Sequence, residues 1–192
     1  MGKNNMDKMG AIGDMLGGIK AEYTQIAGSS TKKKFDTLQD DQVSNKEIRG
    51  VAVRSGGIVD AIYVIYADGS GTVYGNPKGG TEHKIMLDDG DNIKSISGVS
   101  DANYYDNRVI SKLVIETVNG KKYGPFGSYG GKAFSISIPE GAAFAGFVGT
   151  ALITDKHGCV ESLGMSYVKA DADMIKGLMG GLGNMGGQGG LL

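Results

Sequence analysis

From about Ala21 to Lys169 the chain alternates apolar and polar residues in short runs rich in Val, Ile, Tyr and Thr. Asp-Gly, Asn-Gly and Gly-Gly pairs separate the runs. Alternation with a period of two puts one face of a strand inward and the other toward water. Such pairs supply the positive φ angles of tight hairpin turns. Arg49 to Arg54 is therefore expected to form one strand, Gly57-Ile58 a turn, and Val59 to Ala67 the next strand. Asp68-Gly69 marks the following turn, and Asn119-Gly120 repeats the arrangement between Leu113–Val118 and Lys121–Tyr123. Turn signals this close together predict an antiparallel sandwich, barrel or prism, and not βαβ units.

The ends follow another rule. Met6, Met9, Ile12, Met15, Leu16 and Ile19 fall three or four residues apart, which is helical spacing, but Gly10, Gly13, Gly17 and Gly18 interrupt it. Each such glycine costs up to about 1 kcal/mol against alanine within a helix. At the other end, Asp171 or Asp173 can cap a turn leading into Met174, Ile175, Leu178, Met179 and Leu182, before three Gly-Gly pairs dissolve the pattern. The expected organisation is a Met/Gly-rich, marginally helical tail at 1–20, an all-β domain at 21–169, and a similar tail at 170–192.

The β segment repeats itself. Gly57-Ile58-Val59-Asp60-Ala61-Ile62 aligns with Gly158-Cys159-Val160-Glu161-Ser162-Leu163, and Arg108-Val109-Ile110-Ser111-Lys112-Leu113 is a weaker copy between them. Gly79-Gly80 follows the first copy and Gly130-Gly131 the middle one. The last copy ends the domain, so its missing strand is expected from the N-terminal segment around Tyr23 to Phe35. Three units closed by the first strand would bury one shared core and hide the sheet edges.

Composition narrows the function. Glycine, at 34 of 192 residues, is more than twice its usual share of about 7%. With three prolines and no collagen-like period, that excess implies many tight turns. Lys+Arg 20 against Asp+Glu 21 builds no phosphate-attracting field, which argues against nucleic acid as a partner. One cysteine, Cys159, forbids an internal disulfide and favours a reducing compartment. Met1 to Leu16 lacks the pattern of a secretory signal, and no stretch reaches about 18 unbroken apolar residues. A cytoplasmic protein, or one exported without a conventional signal peptide, is expected.

Several chemical signals fail on spacing. His83 and His157 lie far apart without cysteine partners, so no metal cluster is expected. Asp88-Asp89-Gly90-Asp91-Asn92 lacks the closing Glu of a calcium loop. His157 and Cys159 are two residues apart, but no third orienting group or oxyanion donor accompanies them. Neither an enzyme nor a cofactor is expected.

The order of the segments carries a resemblance. Phe35-Asp36, Ile48-Arg49-Gly50-Val51, Gly56-Gly57-Ile58-Val59-Asp60-Ala61-Ile62 with Tyr66, and Gly79-Gly80 run on to Leu87-Asp88-Asp89-Gly90 and Ile93-Lys94-Ser95-Ile96-Ser97-Gly98. Then come Val109-Ile110-Ser111-Lys112-Leu113, Tyr123-Gly124-Pro125-Phe126-Gly127 and Gly146-Phe147-Val148-Gly149. From about Ala21 to Lys169 the chain resembles the jacalin-related lectins. That resemblance implies a β-prism of three four-stranded antiparallel sheets with pseudo-threefold symmetry, sugar binding without catalysis, and frequent self-assembly.

It also implies where a sugar would sit. In the family a carboxylate accepts bonds from sugar hydroxyls in a Gly-x-x-x-Asp motif, and a neighbouring Gly-Gly loop donates backbone N–H groups. Charge-assisted bonds are the stronger kind, and glycine lets the backbone come close. Gly56-Gly57-Ile58-Val59-Asp60 meets the spacing, with Gly79-Gly80 as its partner loop, so Gly56, Asp60, Gly79 and Gly80 are the leading candidates. The family's principal site corresponds to His157-Gly158-Cys159-Val160-Glu161 facing Gly28-Ser29-Ser30. There histidine replaces the motif glycine and Glu161 the aspartate, so Gly28, Gly158 and Glu161 form an altered second candidate. The middle repeat has no matching carboxylate at Asn107 or Ser111.

Two functions are expected to compete. One is a multivalent lectin for mannose-type or related glycans and glycoproteins, assembled as a homo-oligomer. The other is a self-assembling structural protein that keeps the prism, has degenerate sugar sites, and oligomerises through its Met-rich tails. Membrane contact by the tails is the weakest alternative, because their positive charge is low for interfacial helices.

Overall fold

The computed structural model describes residues 20–29, 33–41, 46–154 and 156–169. The two tails, apart from the backbone of Lys20, lie outside the described residues. The chain opens with β1 (Lys20–Tyr23) and β2 (Lys33–Asp36), and a single helical turn, α1 (Thr37–Asp40), follows. The alternation test does not register α1. Its signal is Asp36, whose carboxylate caps the turn by accepting from the backbone N–H groups of Leu38 and Gln39.

The first repeat folds as β3 (Ile48–Ser55), β4 (Val59–Tyr66), β5 (Tyr74–Gly75) and β6 (Thr81–Met86), antiparallel in the order β5-β4-β3-β6. The second supplies β7 (Ile93–Ser100), the short hairpin β8 (Ala102–Tyr104) and β9 (Asn107–Val109), then β10 (Lys112–Thr117), β11 (Lys122–Phe126) and β12 (Lys132–Ser137). Its sheet runs β11-β10-β7-β12, with the hairpin standing apart. The third repeat contributes only β13 (Ala143–Leu152) and β14 (Cys159–Lys169). As the repeat analysis requires, the N-terminal segment completes this sheet, and it does so at both edges, in the order β1-β14-β13-β2.

The three sheets share one core, which is the all-β prism expected from the sequence. Val51, Val53, Ile62 and Val64 enter it from the first sheet, Ile96, Leu113 and Ile115 from the second, and Phe147, Val160, Leu163 and Met165 from the third. Phe35 of β2 stacks on Tyr74 of β5 with ring centroids 4.4 Å apart, tying the third sheet to the first.

The repeats meet at one end of the prism, and the symmetry is visible in single bonds. Val59 donates its N–H to the Ile110 carbonyl at 3.0 Å, and Ile110 donates to the Val160 carbonyl at 2.9 Å. These are the same repeat position in three copies. The preceding position, Ile58, Val109 and Cys159, forms a small buried cluster with Ala102, covered by Tyr104 and Leu152. The following position, Asp60, Ser111 and Glu161, is buried in all three copies. A positive-φ glycine lies against the carbonyl of each: Gly75 on Asp60, Gly127 on Ser111, Gly28 on Glu161. One scaffold position therefore carries three different side chains.

Candidate functional site

What those three side chains do differs. Ser111 is committed to its own loop, since its hydroxyl donates to the Tyr129 carbonyl at 2.8 Å. Glu161 is only 2% exposed. Gly28 approaches its backbone closely: a Cβ at Gly28 would lie 2.7 Å from the Glu161 carbonyl oxygen. Ser29 beside it reaches Asp101 at 3.3 Å. The chain thus brings Gly28 and Glu161 together as expected. Gly158 instead packs against the Thr154 carbonyl and the backbone of Asn76, with no space for a Cβ.

Asp60 is placed otherwise. It lies at the base of an open cleft of about 490 Å³, whose floor is Gly56, Gly57, Ile58, Asp60 and Gly80. Asp60 is 8% exposed, and its buried Oδ2 atom has no hydrogen-bond partner. Burial pushes its carboxyl above the usual carboxylate range, opposed by the Gly56 backbone N–H and by the nearby Arg54 guanidinium. A buried carboxylate oxygen without a donor is costly, and the deficit is removed when a ligand hydroxyl supplies one.

The local sequence explains the geometry. Residues 56–58 turn β3 into β4, and Asp60 is the extra residue of a bulge, unpaired between Val59 opposite Ser55 and Ala61 opposite Arg54, which leaves it lining the cleft. The loop between β5 and β6 folds back over it. Asn76 donates its N–H to the Asp60 carbonyl at 2.8 Å, and its own carbonyl receives the Gly79 N–H at 3.2 Å. Gly80, at φ +52°, then passes directly over the carboxylate. A Cβ there would stand 2.6 Å from Asp60 Oδ2, so only glycine leaves the oxygen its space. Gly79 is not among the residues that line the cleft; it backs onto Asp60, and its carbonyl accepts from Arg54.

Arg54 is a positioning residue that the sequence reading does not single out. Its Nε donates to the Gly79 carbonyl at 2.7 Å and its guanidinium to the Gly80 carbonyl at 3.2 Å, while Glu82 holds it from outside at 3.6 Å. The planar fork fixes both carbonyls of the glycine pair at once, which a lysine would not reproduce. The remaining wall of the cleft comes from the second repeat: Asn103, Tyr104, Tyr105 and Tyr129. None of these is part of the Gly-x-x-x-Asp pattern.

Among the described residues no three His, Cys, Asp or Glu groups come together to hold a metal ion. His83 packs on the Phe126 ring at 4.9 Å. Cys159 is buried between Ile58 and Val109, while the His157 ring lies 4.4 Å from that of Tyr105.

Comparison with known proteins agrees with this architecture. The family model described as the jacalin-like lectin domain matches residues 24–166, and the chain belongs to that family, whose members are carbohydrate-binding proteins without catalytic activity. A mannose/glucose-specific lectin of Parkia pendula is 36% identical over 109 residues, 53% of this chain; the match spans 23% of that relative's length. The structure of Malaysian banana lectin is similar with a TM-score of 0.62 and 27% identity, covering 79% of this chain and 99% of that one. A mannose-specific jacalin-related lectin from Morus nigra, solved with mannose, has a TM-score of 0.61 at 22% identity, covering 78% and 95%.

Proposed function

We propose that this chain is a lectin that binds mannose- or glucose-type sugars reversibly, and that its working site is the Asp60–Gly80 cleft. The observation that carries the reading is the unpartnered Asp60 Oδ2, buried beneath the backbone of Gly56 and Gly80 at the base of an open cleft. Sugar hydroxyls donate to the carboxylate, and exposed backbone N–H groups on the glycine-rich rim donate to other sugar oxygens. The sugar class is taken from the Parkia pendula relative, which is mannose/glucose-specific. A single small site of this kind binds weakly, so useful avidity requires several copies on one assembly. Titration calorimetry of the full chain with methyl α-mannoside tests the reading, and heat of binding that is lost in Asp60→Ala supports it.

The same site has a signed pH dependence. Because the folded pKa of Asp60 is raised, its contribution to stability of the empty protein is full at low pH and lost as pH rises through that pKa. Sugar binding runs the other way, since hydroxyl donors favour the ionised carboxylate. Affinity is expected to fall on acidification, beginning at higher pH than an ordinary aspartate of about 3.9 would allow. Calorimetry at stepped pH checks this, and a profile flat down to the ordinary aspartate range would contradict it.

A further inference from the structure

The outward face of the first sheet carries a row of polar groups that ends on the candidate site. Arg54, Glu82 and Tyr63 stand on β3, β6 and β4, on the side away from the core that Val53, Ile62 and Ile85 enter. Arg54 and Glu82 are cross-strand partners. The Tyr63 hydroxyl donates to Glu82 Oε1 at 2.7 Å, and the same oxygen lies 3.6 Å from the Arg54 guanidinium. That guanidinium in turn holds the Gly79 and Gly80 carbonyls. None of the three side chains lines the cleft, so none touches a sugar there.

Their effect reaches the cleft through the backbone they hold. A Cβ at Gly79 would stand 2.8 Å from the Asp60 Cβ, and one at Gly80 would stand 2.3 Å from the Ser55 carbonyl oxygen. The glycine pair therefore rests directly on Asp60 and on the end of β3, and Arg54 is what fastens it from outside. An arginine left to itself has many rotamers to lose. Glu82, braced by Tyr63, confines this one to the pose in which its planar fork meets both carbonyls. The Glu82 side chain is 35% exposed, and a pair this exposed adds little to stability. Its consequence lies in the loop.

The row also carries charge. Tyr104 and Tyr105 of the β8–β9 hairpin and Tyr129 face Asp60 from the second repeat, and Lys78 is on the loop that covers it. Arg54 is the cation that opposes the effect of burial on the Asp60 carboxyl. Glu82 stands beside that guanidinium and offsets part of its charge. The Tyr63 hydroxyl, pushed up to about 12 by burial and by Glu82, stays neutral.

We infer that Glu82, steadied by Tyr63, is a positioning residue for the sugar site: from the outer face of the sheet it keeps Arg54 on the Gly79 and Gly80 carbonyls and so fixes how closely Gly80 covers Asp60. This rests on the sugar site proposed above.

The test is calorimetry of the full chain with methyl α-mannoside at stepped pH, beside a thermal melt. Glu82→Ala should weaken binding about three- to tenfold at neutral pH, the loss of about one hydrogen bond's worth of ordering. Its melting temperature should stay within about 2 °C of wild type. Glu82→Gln keeps an acceptor for both donors and should recover part of that affinity. Both variants remove the charge that offsets Arg54, so sugar binding should persist to lower pH, its acid midpoint falling by roughly half a pH unit. Arg54→Lys keeps the cation but loses the fork, and should weaken binding without that fall in midpoint. If Glu82→Ala binds with wild-type affinity and midpoint while Asp60→Asn abolishes binding, the role of Glu82 is refuted and the Asp60 site stands. A loss of affinity matched by a large fall in melting temperature, with the midpoint unmoved, would make Glu82 merely structural and also refute it. If Asp60→Asn binds as wild type does, or wild type does not bind, the site and the role of Glu82 fall together.

Discussion

Asp60→Asn should abolish sugar binding and leave the empty protein at least as stable as wild type. The substitution keeps size and shape. It removes the charge, and it replaces one acceptor oxygen with an NH2 group that can only donate. Hydrogen bonds to a charged group contribute about 1.5–3 kcal/mol each. Losing two of them from a sugar that already binds weakly costs about 100- to 10,000-fold in affinity, which calorimetry would read as no binding. The fold responds differently, because the Asp60 carboxyl is pushed upward by burial and Oδ2 has no donor in the empty cleft. Removing a buried and poorly compensated charge relieves the native state. A thermal melt beside the titration checks both halves. A large loss of stability would mean that Asp60 is chiefly a turn-ordering residue, as aspartates after hairpins often are.

The largest effect on the fold is expected at Phe147. It is 0% exposed at the centre of β13, in edge-to-face contact with Phe144 at 5.1 Å, and its N–H is bound by the Thr37 hydroxyl at 2.9 Å. Phe147→Ala removes most of a large side chain from a core that all three sheets share. Such truncations cost about 3–5 kcal/mol, a large part of the roughly 5–15 kcal/mol that holds a typical domain folded. Chemical denaturation should show the midpoint fall without a change in slope. A cost below about 1 kcal/mol would mean that the third sheet is less tightly joined to the core than its burial indicates.

Much of the architecture is legible in the sequence because alternation reports, strand by strand, which side faces inward. Val59 to Ala67 and Leu113 to Val118 read as strands for that reason, and the strands formed are Val59–Tyr66 and Lys112–Thr117. The repeat fixes the rest, since Ile58, Val109 and Cys159 occupy one position, and their clustering follows from the fold's threefold character. The turn at Thr37–Asp40 is missed because its cause is a cap, not a period. The candidate site is half legible. Gly56, Asp60 and Gly80 belong to one repeat, where spacing suffices to connect them. Arg54 and the tyrosines do not. Arg54 acts through the backbone of a loop some 25 residues away, and Tyr105 and Tyr129 reach the cleft from another sheet. Contacts between repeats depend on how the sheets close around the axis, which no local pattern records. An aromatic pair at a hairpin tip, Tyr104-Tyr105 before Asp106, is the one sequence signal that would have drawn attention to the wall.

The pseudo-threefold scaffold also explains why three equivalent positions have different fates. The backbone needs a buried residue after each hairpin, and a glycine against its carbonyl, whatever that side chain is. Asp60 keeps a carboxylate under an open cleft, Ser111 turns inward to hold its own loop, and Glu161 is enclosed.

Sugar binding over Asp60, and not at the altered site of the third repeat, would be read out by an amide chemical-shift titration of the full chain with methyl α-mannoside. The amides of Gly56, Gly57 and Gly80 should shift together and saturably, while those of Gly28, Gly158 and Glu161 stay in place. Shifts centred on Gly28 and Glu161, or none at all, would contradict it.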